Sequence, residues 1–298
     1  ALVKSPALRQ QLGSTEQRQY ALELARKEKD PAARDAYLKA LLTGSGSYFL
    51  LSDSESRKAV WELIKTETGA AEKPASDWRG DAVSQLLNHS THDEWLRSAD
   101  EIGWLLRFLR DGASVEQRGQ ILMRLAFDYR LKPILQQHAP LDTRIELAKS
   151  VPAATRGRLL AGLVLPADAS DPKALADRSA QLVALARQES DAAARGDYLQ
   201  GLFAHTGAMK ALLDGGFYGD LWGLVTAEGD PVRQAVLRAE FVRSDAALTA
   251  FADRQQLDAL VTFAQENQHA EARRQYLRRL LINEPALASV NVMVAVKS

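Results

Sequence analysis

Three features of this sequence have the residue types and spacing for chemistry. His89, His92, Asp93 and Glu94 lie together in NHSTHDEW, and histidines three apart with carboxylates beside them can ligate zinc. Seven arginines, Arg34, Arg79, Arg118, Arg156, Arg195, Arg233 and Arg273, recur at gaps of 45, 39, 38, 39, 38 and 40 residues. Lined along a groove, such a series could clamp an anionic ligand. Arg79-Gly80-Asp81 spells the integrin-binding tripeptide.

Each feature also has a plainer reading, which the sequence favours. The histidine stretch spans a turn, with Ser90-Thr91 placed to cap the helix that carries Trp95. His138, His205 and His269 stand alone near expected turns, and there is no GxSxG or HExxH pattern. The tripeptide coincides with one of the recurring arginines at a helix start. Regular spacing of one residue type is what stacked copies of one unit produce, each arginine packing in the first turn of a helix as one rung of a ladder. A basic cluster, RRQYLRR at 273–279, reads as a solvated or salt-bridged helix face. The chain is therefore expected to be no enzyme, with no catalytic, cofactor or metal residues. Type and spacing alone single out no binding residue.

The elements that carry these residues are helices. Four residues after each arginine stands Leu38, Val83, Leu122, Leu160, Leu199, Leu237 or Leu277. Three further on come Leu41, Leu86, Leu125, Leu163, Leu202, Glu240 and Leu280, with Glu240 the exception. The next position holds Leu42, Leu87, Ala126, Val164, Phe203, Phe241 or Leu281. Such offsets mark one face of a helix. Ahead of each lies another amphipathic segment, such as ALELARKE or LVALARQE, and then an Asp, Ser or Glu with Pro31 and Pro231 just inside the next helix. Those are helix-start residues. A third, shorter apolar piece opens each unit: PALRQQL at Pro6, YFLL at Tyr48, EWLRSA at Glu94, KPILQQ at Lys132, KALADR at Lys173, MKALLDGG at Met209 and AALTAFA at Ala246. Units are expected at about 6–44, 45–90, 91–130, 131–168, 169–206, 207–244 and 245–283.

Aromatic residues follow the same pattern. Tyr37, Tyr198 and Tyr276 share one repeat position, which predicts rings buried between units with hydroxyls left at the edge. Trp61, Trp104 and Trp222 fall at core phase in the middle helices. Trp78 closes the only Gly/Pro/Ser-rich stretch, TGAAEKPASDW at 68–78. That stretch reads as a lengthened loop within one domain of residues 1–298, and its Trp as either a binding anchor or a packing residue.

Composition narrows the classes. Strand signals are nearly absent, and no apolar run approaches a membrane span. Cysteine is missing altogether, which removes disulfides and thiolate chemistry. The compartment stays open, cytoplasmic or exported, with the lack of Cys and of an initiating Met tilting it toward export. Thirty-eight basic residues balance thirty-eight acidic ones. A nucleic-acid groove carries a basic excess, so nucleic acid is not the expected partner.

The segments DPAAR (30–34) and DPVRQAVLRA (230–239) resemble the turn and second helix of HEAT repeats. The three-helix unit with a short first helix is similar to armadillo repeats. The aspartate of that pattern is found as Asp30, Asp111, Asp191 and Asp230, at no constant offset, and Val151-Pro152 replaces it in the fourth unit. The resemblance implies an aspartate–arginine ladder between units. It also implies an all-α, right-handed superhelical solenoid of about seven units of ~39 residues plus a partial eighth. Families of this kind are mostly binding scaffolds, so the expected role is a non-catalytic scaffold for another protein or peptide. Two alternatives are a nucleic-acid binder resembling the helical-repeat DNA glycosylases and a structural segment of a cell-envelope protein. An α/α-toroid enzyme is more remote. The last stretch, EPALASVNVMVAVKS from Glu284, restarts the pattern. It reads as the start of an eighth unit in a longer array, a half-unit cap, or a strap folded back.

Overall fold

The structure is a computed structural model that describes residues 14–42, 50–66, 78–88, 96, 98–166, 172–254 and 257–282. His89, His92, Asp93, Glu94 and Trp95, the loop stretch up to residue 77, the opening helix at 6–13 and the tail from Glu284 lie outside the described residues.

Helix starts are written locally. Ser14 with Gln17, Ser98 with Glu101 and Ser114 with Gln117 form reciprocal capping boxes, each satisfying two amides that a helix start leaves orphaned. Asp191 and Asp230 cap with single carboxylates, and Pro231 follows Asp230 at the first helical position. Every regular element among the described residues is helical.

The first compact unit covers residues 1–152. It contains α1 (Thr15–Lys27), α2 (Pro31–Leu42), α3 (Ser54–Thr66), α4 (Trp78–Asn88) and α5 (Ala99–Arg107). A π-helical turn, Phe108–Gly112, continues α5, and α6 (Val115–Phe127), α7 (Leu131–His138) and α8 (Leu141–Lys149) follow. Helix α2 packs on α4 and α4 on α6, so the helices bearing Arg34, Arg79 and Arg118 lie side by side. Helix α1 packs on α3.

The second unit covers residues 153–298. It contains α9 (Ala153–Val164), α10 (Pro172–Gln188), α11 (Ala192–Ala204), α12 (Thr206–Asp214), α13 (Tyr218–Thr226), α14 (Pro231–Phe241), α15 (Asp245–Asp253), α16 (Leu257–Glu266) and α17 (Ala270–Ile282). Here α9, α11, α14 and α17 form a row in that order, and α10, α12 and α15 form a second. The apolar positions four, seven and eight after each arginine are buried from Leu38 through Phe203.

Two local departures have physical causes. The expected short helix at Lys173 is no separate element: nothing in KALADRSAQLVALARQ breaks the helical pattern, and it runs on as one 17-residue helix, α10. Between α12 and α13 the chain turns sharply instead. Gly216 adopts φ +83°, while the Gly216 and Phe217 amides return to the carbonyls of Leu213 and Leu212, each at 3.0 Å. This is a Schellman ending, whose left-handed residue costs glycine no Cβ clash.

Candidate functional site

The recurring chemistry of this chain is concentrated at the turns that enter the arginine helices. Three turns share one construction. The Asp30, Asp191 and Asp230 carboxylates accept the Ala32, Ala194 and Arg233 amides at 3.0, 2.9 and 2.8 Å. Two residues upstream a glutamate, Glu28, Glu189 or Glu228, accepts the aspartate's own backbone amide at 3.0, 2.9 and 2.9 Å. The His269 turn repeats the scheme with other residues. His269 Nδ1 accepts the Ala272 amide at 3.2 Å, and Asn267 Oδ1 accepts the His269 amide at 2.9 Å. His205 caps α12 through Nδ1 in the same manner.

From the fourth helical position the recurring side chain reaches back over the turn. Arg195 Nη1 donates to the Glu189 carbonyl at 3.2 Å, six residues earlier. Arg57, on a middle helix, makes the same six-residue reach to the Leu51 carbonyl at 2.8 Å. Arg118 donates to the carbonyls of Leu109, Arg110 and Ala113. Those carbonyls belong to or flank the π turn, whose wider winding changes the partners of the last carbonyls of its helix. Arg118 and Arg195 thus close the end of the preceding helix within their own copies of the pattern.

In the sixth copy this role passes to Gln234. Its amide donates to the Glu228 carbonyl, again six residues back, at 3.2 Å, and to the Thr226 carbonyl at 2.8 Å. Arg233 stands one position early and pairs with the Glu228 carboxylate at 3.0 Å. Counted from Gln234, the gaps to Arg195 and Arg273 are both 39 residues. Position seven then becomes the buried Phe241, and Glu240 ceases to be an exception.

Among the described residues the aspartates of the HEAT-like pattern bond mainly to backbone amides, although Asp191 also acts electrostatically on Arg233 of the next copy. Asp30, Asp191 and Asp230 are spent on helix amides, and Asp111 is exposed in the π turn beside Arg110. The arginine partners are the upstream glutamates. Glu189 takes Arg156 through two bonds, 2.7 and 3.0 Å. The Asp230 carboxyl is held below its usual range, chiefly by the Arg233 amide. Asp53 is pushed up by burial, but the Ser56 amide and hydroxyl and the Arg18 guanidinium outweigh this and hold it below the usual range.

Other bonds link successive copies. Arg18 Nε meets Asp53 at 2.6 Å, Trp78 Nε1 donates to Asp35 at 2.9 Å, Gln117 Nε2 donates to Asp81 at 3.1 Å, and Arg187 reaches Asp220. Trp78 is thereby a packing residue: it is the first residue of α4 and only 1% exposed. The Arg79-Gly80-Asp81 tripeptide is helical, with Arg79 and Gly80 buried, so it presents no loop to a receptor.

Glycines explain how closely these helices approach. A Cβ on Gly157 would stand 1.9 Å from the Ala194 carbonyl oxygen; one on Gly196 would stand 2.3 Å from Arg233 Cδ, and one on Gly80 2.2 Å from the Gln117 carboxamide. Each follows its arginine directly, as does Gly119. The Arg-Gly dipeptide was the visible signal for these close contacts.

The tyrosine hydroxyls are not left at an edge. Tyr198 and Tyr276 are fully buried and donate to the Leu182 and Leu260 carbonyls, each 16 residues back, at 3.0 and 3.1 Å. Burial raises both phenols well above the ordinary value. Tyr37 is half-buried, and its phenol is raised by burial and by Tyr20. Trp61 and Trp104 meet edge-on with centroids 4.8 Å apart, and Trp222 packs on Phe241 and Phe251.

No group of His, Cys, Asp and Glu among the described residues could hold a metal ion. None of the described helices is long and apolar enough to cross a membrane. No family model, curated protein or solved structure matches the chain.

Proposed function

We propose that this chain is a non-catalytic, HEAT/armadillo-like α-solenoid that serves as a scaffold for another protein or peptide. The observation that carries the reading is the order of packing: in the second unit the arginine helices α9, α11, α14 and α17 contact one another in sequence, as do α10, α12 and α15. Stacking of like on like produces rows of this kind in chain order. Side-chain bonds between successive copies, from Arg18–Asp53 to Arg187–Asp220, support the same reading. Arg118, Arg156, Arg195 and Arg233 bond carbonyls and glutamates of the turns, which favours a structural role for the repeat motif and leaves recognition to the array's surface.

The architecture and the role have separate tests. X-ray scattering of the full chain should give a radius of gyration well above the ~19 Å of a compact body of this length; a value near it would remove the solenoid. For the role, affinity capture followed by calorimetry with the purified candidate should yield a partner whose binding is weakened by alanine at exposed Tyr20 and Leu24 or at exposed Phe127 and Tyr129, with helicity unchanged. A partner insensitive to every surface change, or none, would remove the scaffold.

A further inference from the structure

Once the sixth copy is read from Gln234, a charge appears at a core position. The residue four beyond is the buried Leu38, Val83, Leu122, Leu160 or Leu199 in the first five copies, the exposed Leu277 in the seventh, and the half-buried Arg238 here. Its guanidinium carbon lies 5.0 Å from the ring centre of Trp222 on α13 and 4.2 Å from that of Phe263 on α16. Arg238 Nε–H is buried with no acceptor among the described residues. Burial holds its pKa below the usual arginine value, against the opposing pull of Tyr276.

Neighbouring acids are committed elsewhere. Glu228 serves Arg233 and the Asp230 amide, and Glu240 faces Arg243 at 3.4 Å. The Tyr276 hydroxyl donates to the Leu260 carbonyl. A guanidinium stripped of part of its water and given no counter-charge is costly. Each ring contact returns only about 0.5–2 kcal/mol. The rings hold the guanidinium plane in place, which pre-organises its N–H edge for a planar, two-oxygen acceptor. Phosphate sites gather several cations or a helix N-terminus; a single framed guanidinium suits a monovalent planar anion.

We propose that Arg238, framed by Trp222 and Phe263, is a binding site for a carboxylate. The site does not depend on the scaffold reading, since a free acid and a peptide carboxylate meet the same donors.

The test is a titration of the full ¹⁵N-labelled chain with sodium acetate, followed at the arginine Nε–H resonances, with sodium chloride at equal ionic strength as reference. Arg238 should shift and saturate in the millimolar range with acetate alone, while exposed Arg110 and Arg187 drift without saturating. Amide shifts of α13 and α16 should follow the same curve. In Arg238→Lys they should require at least about tenfold more acetate, the share of one charge-assisted hydrogen bond. The proposal is overturned by a non-saturating Arg238, by an equal response to chloride, by inorganic phosphate binding as tightly as acetate, or by Arg238→Lys binding as the native chain does. Should that variant not fold, the native titration decides by itself, because its reference is internal.

Discussion

Two glycines carry opposite expectations, although both lie inside helices. Gly157 faces the Ala194 carbonyl, a backbone atom that cannot swing aside, whereas nothing lies within 4 Å of a Cβ on Gly223. Gly157→Ala should cost about 2–3 kcal/mol through overpacking that outweighs the gain in helix propensity. Gly223→Ala should stabilise by about 0.5–1 kcal/mol, because only that gain remains. Urea unfolding of the two variants checks the pair; the same sign in both would mean that α9 and α11 do not approach as closely as described. Tyr198 and Tyr276 set a limit at high pH. Burial raises both phenols above the ordinary tyrosine value of about 10, so the unfolded chain ionises first. Their contribution is complete below about pH 10 and is lost as pH rises from there through the folded values. Tyr198→Phe with Tyr276→Phe should flatten that alkaline loss while costing about 1 kcal/mol per hydrogen bond at neutral pH. Melting curves from neutral to alkaline pH would show an unchanged slope if the hydroxyls were solvated.

At the level of the element, the turn acts as a unit in which cap, upstream glutamate and backward-reaching side chain share one set of orphan groups. Glu189 takes two bonds from Arg156 and one from the Asp191 amide, and its side chain is 7% exposed. Glu189→Ala should therefore cost about 2 kcal/mol, and a double-mutant cycle with Arg156→Ala should give a coupling of about 1–2 kcal/mol. Additive losses would show that the pair is incidental. These turns also show how much of the site could be read in the sequence. Helix identity, the caps at Asp191 and Asp230 and the apolar rows were legible, because propensity and periodicity act over a few neighbouring residues. The sequence left Trp78 open between binding anchor and packing residue, since the partner that decides it, Asp35, lies 43 residues away. His205 and His269 did not look like caps, because an imidazole nitrogen can stand in for a carboxylate only where the turn points it at an amide. Counting arginines placed the sixth copy one residue early and thereby hid Arg238; only the hydrogen bonds of Gln234 reset the frame.

For the molecule as a whole, balanced charge is the governing property. With 38 basic and 38 acidic residues, the chain has no net attraction for phosphate polymers. Chromatography on immobilised duplex DNA should show no retention at physiological salt. Salt-dependent retention would point to a basic surface that the residue totals conceal, and would restore the nucleic-acid reading. The backbone divides into units at residue 152, within the expected fourth copy at 131–168, between α8 and α9. No composition shift marks that place, because the division is a property of tertiary packing and the local text on both sides is equally helical.

The displaced frame at Arg233 and Gln234 has a consequence for recombination. Copies of the pattern are candidate cassettes for chimeras, and the recurring arginine looks like a natural joint. A chimera joined at Arg233 in place of Gln234 would carry one residue too many after the joint, turning the helix face downstream by about 100°. Glu240 would be carried onto the buried seventh position and Val242 off the eighth, while Leu237 and Phe241 would each be shifted by one position along the core face. The workable splice lies at the position whose side chain reaches six residues back, whichever amino acid occupies it.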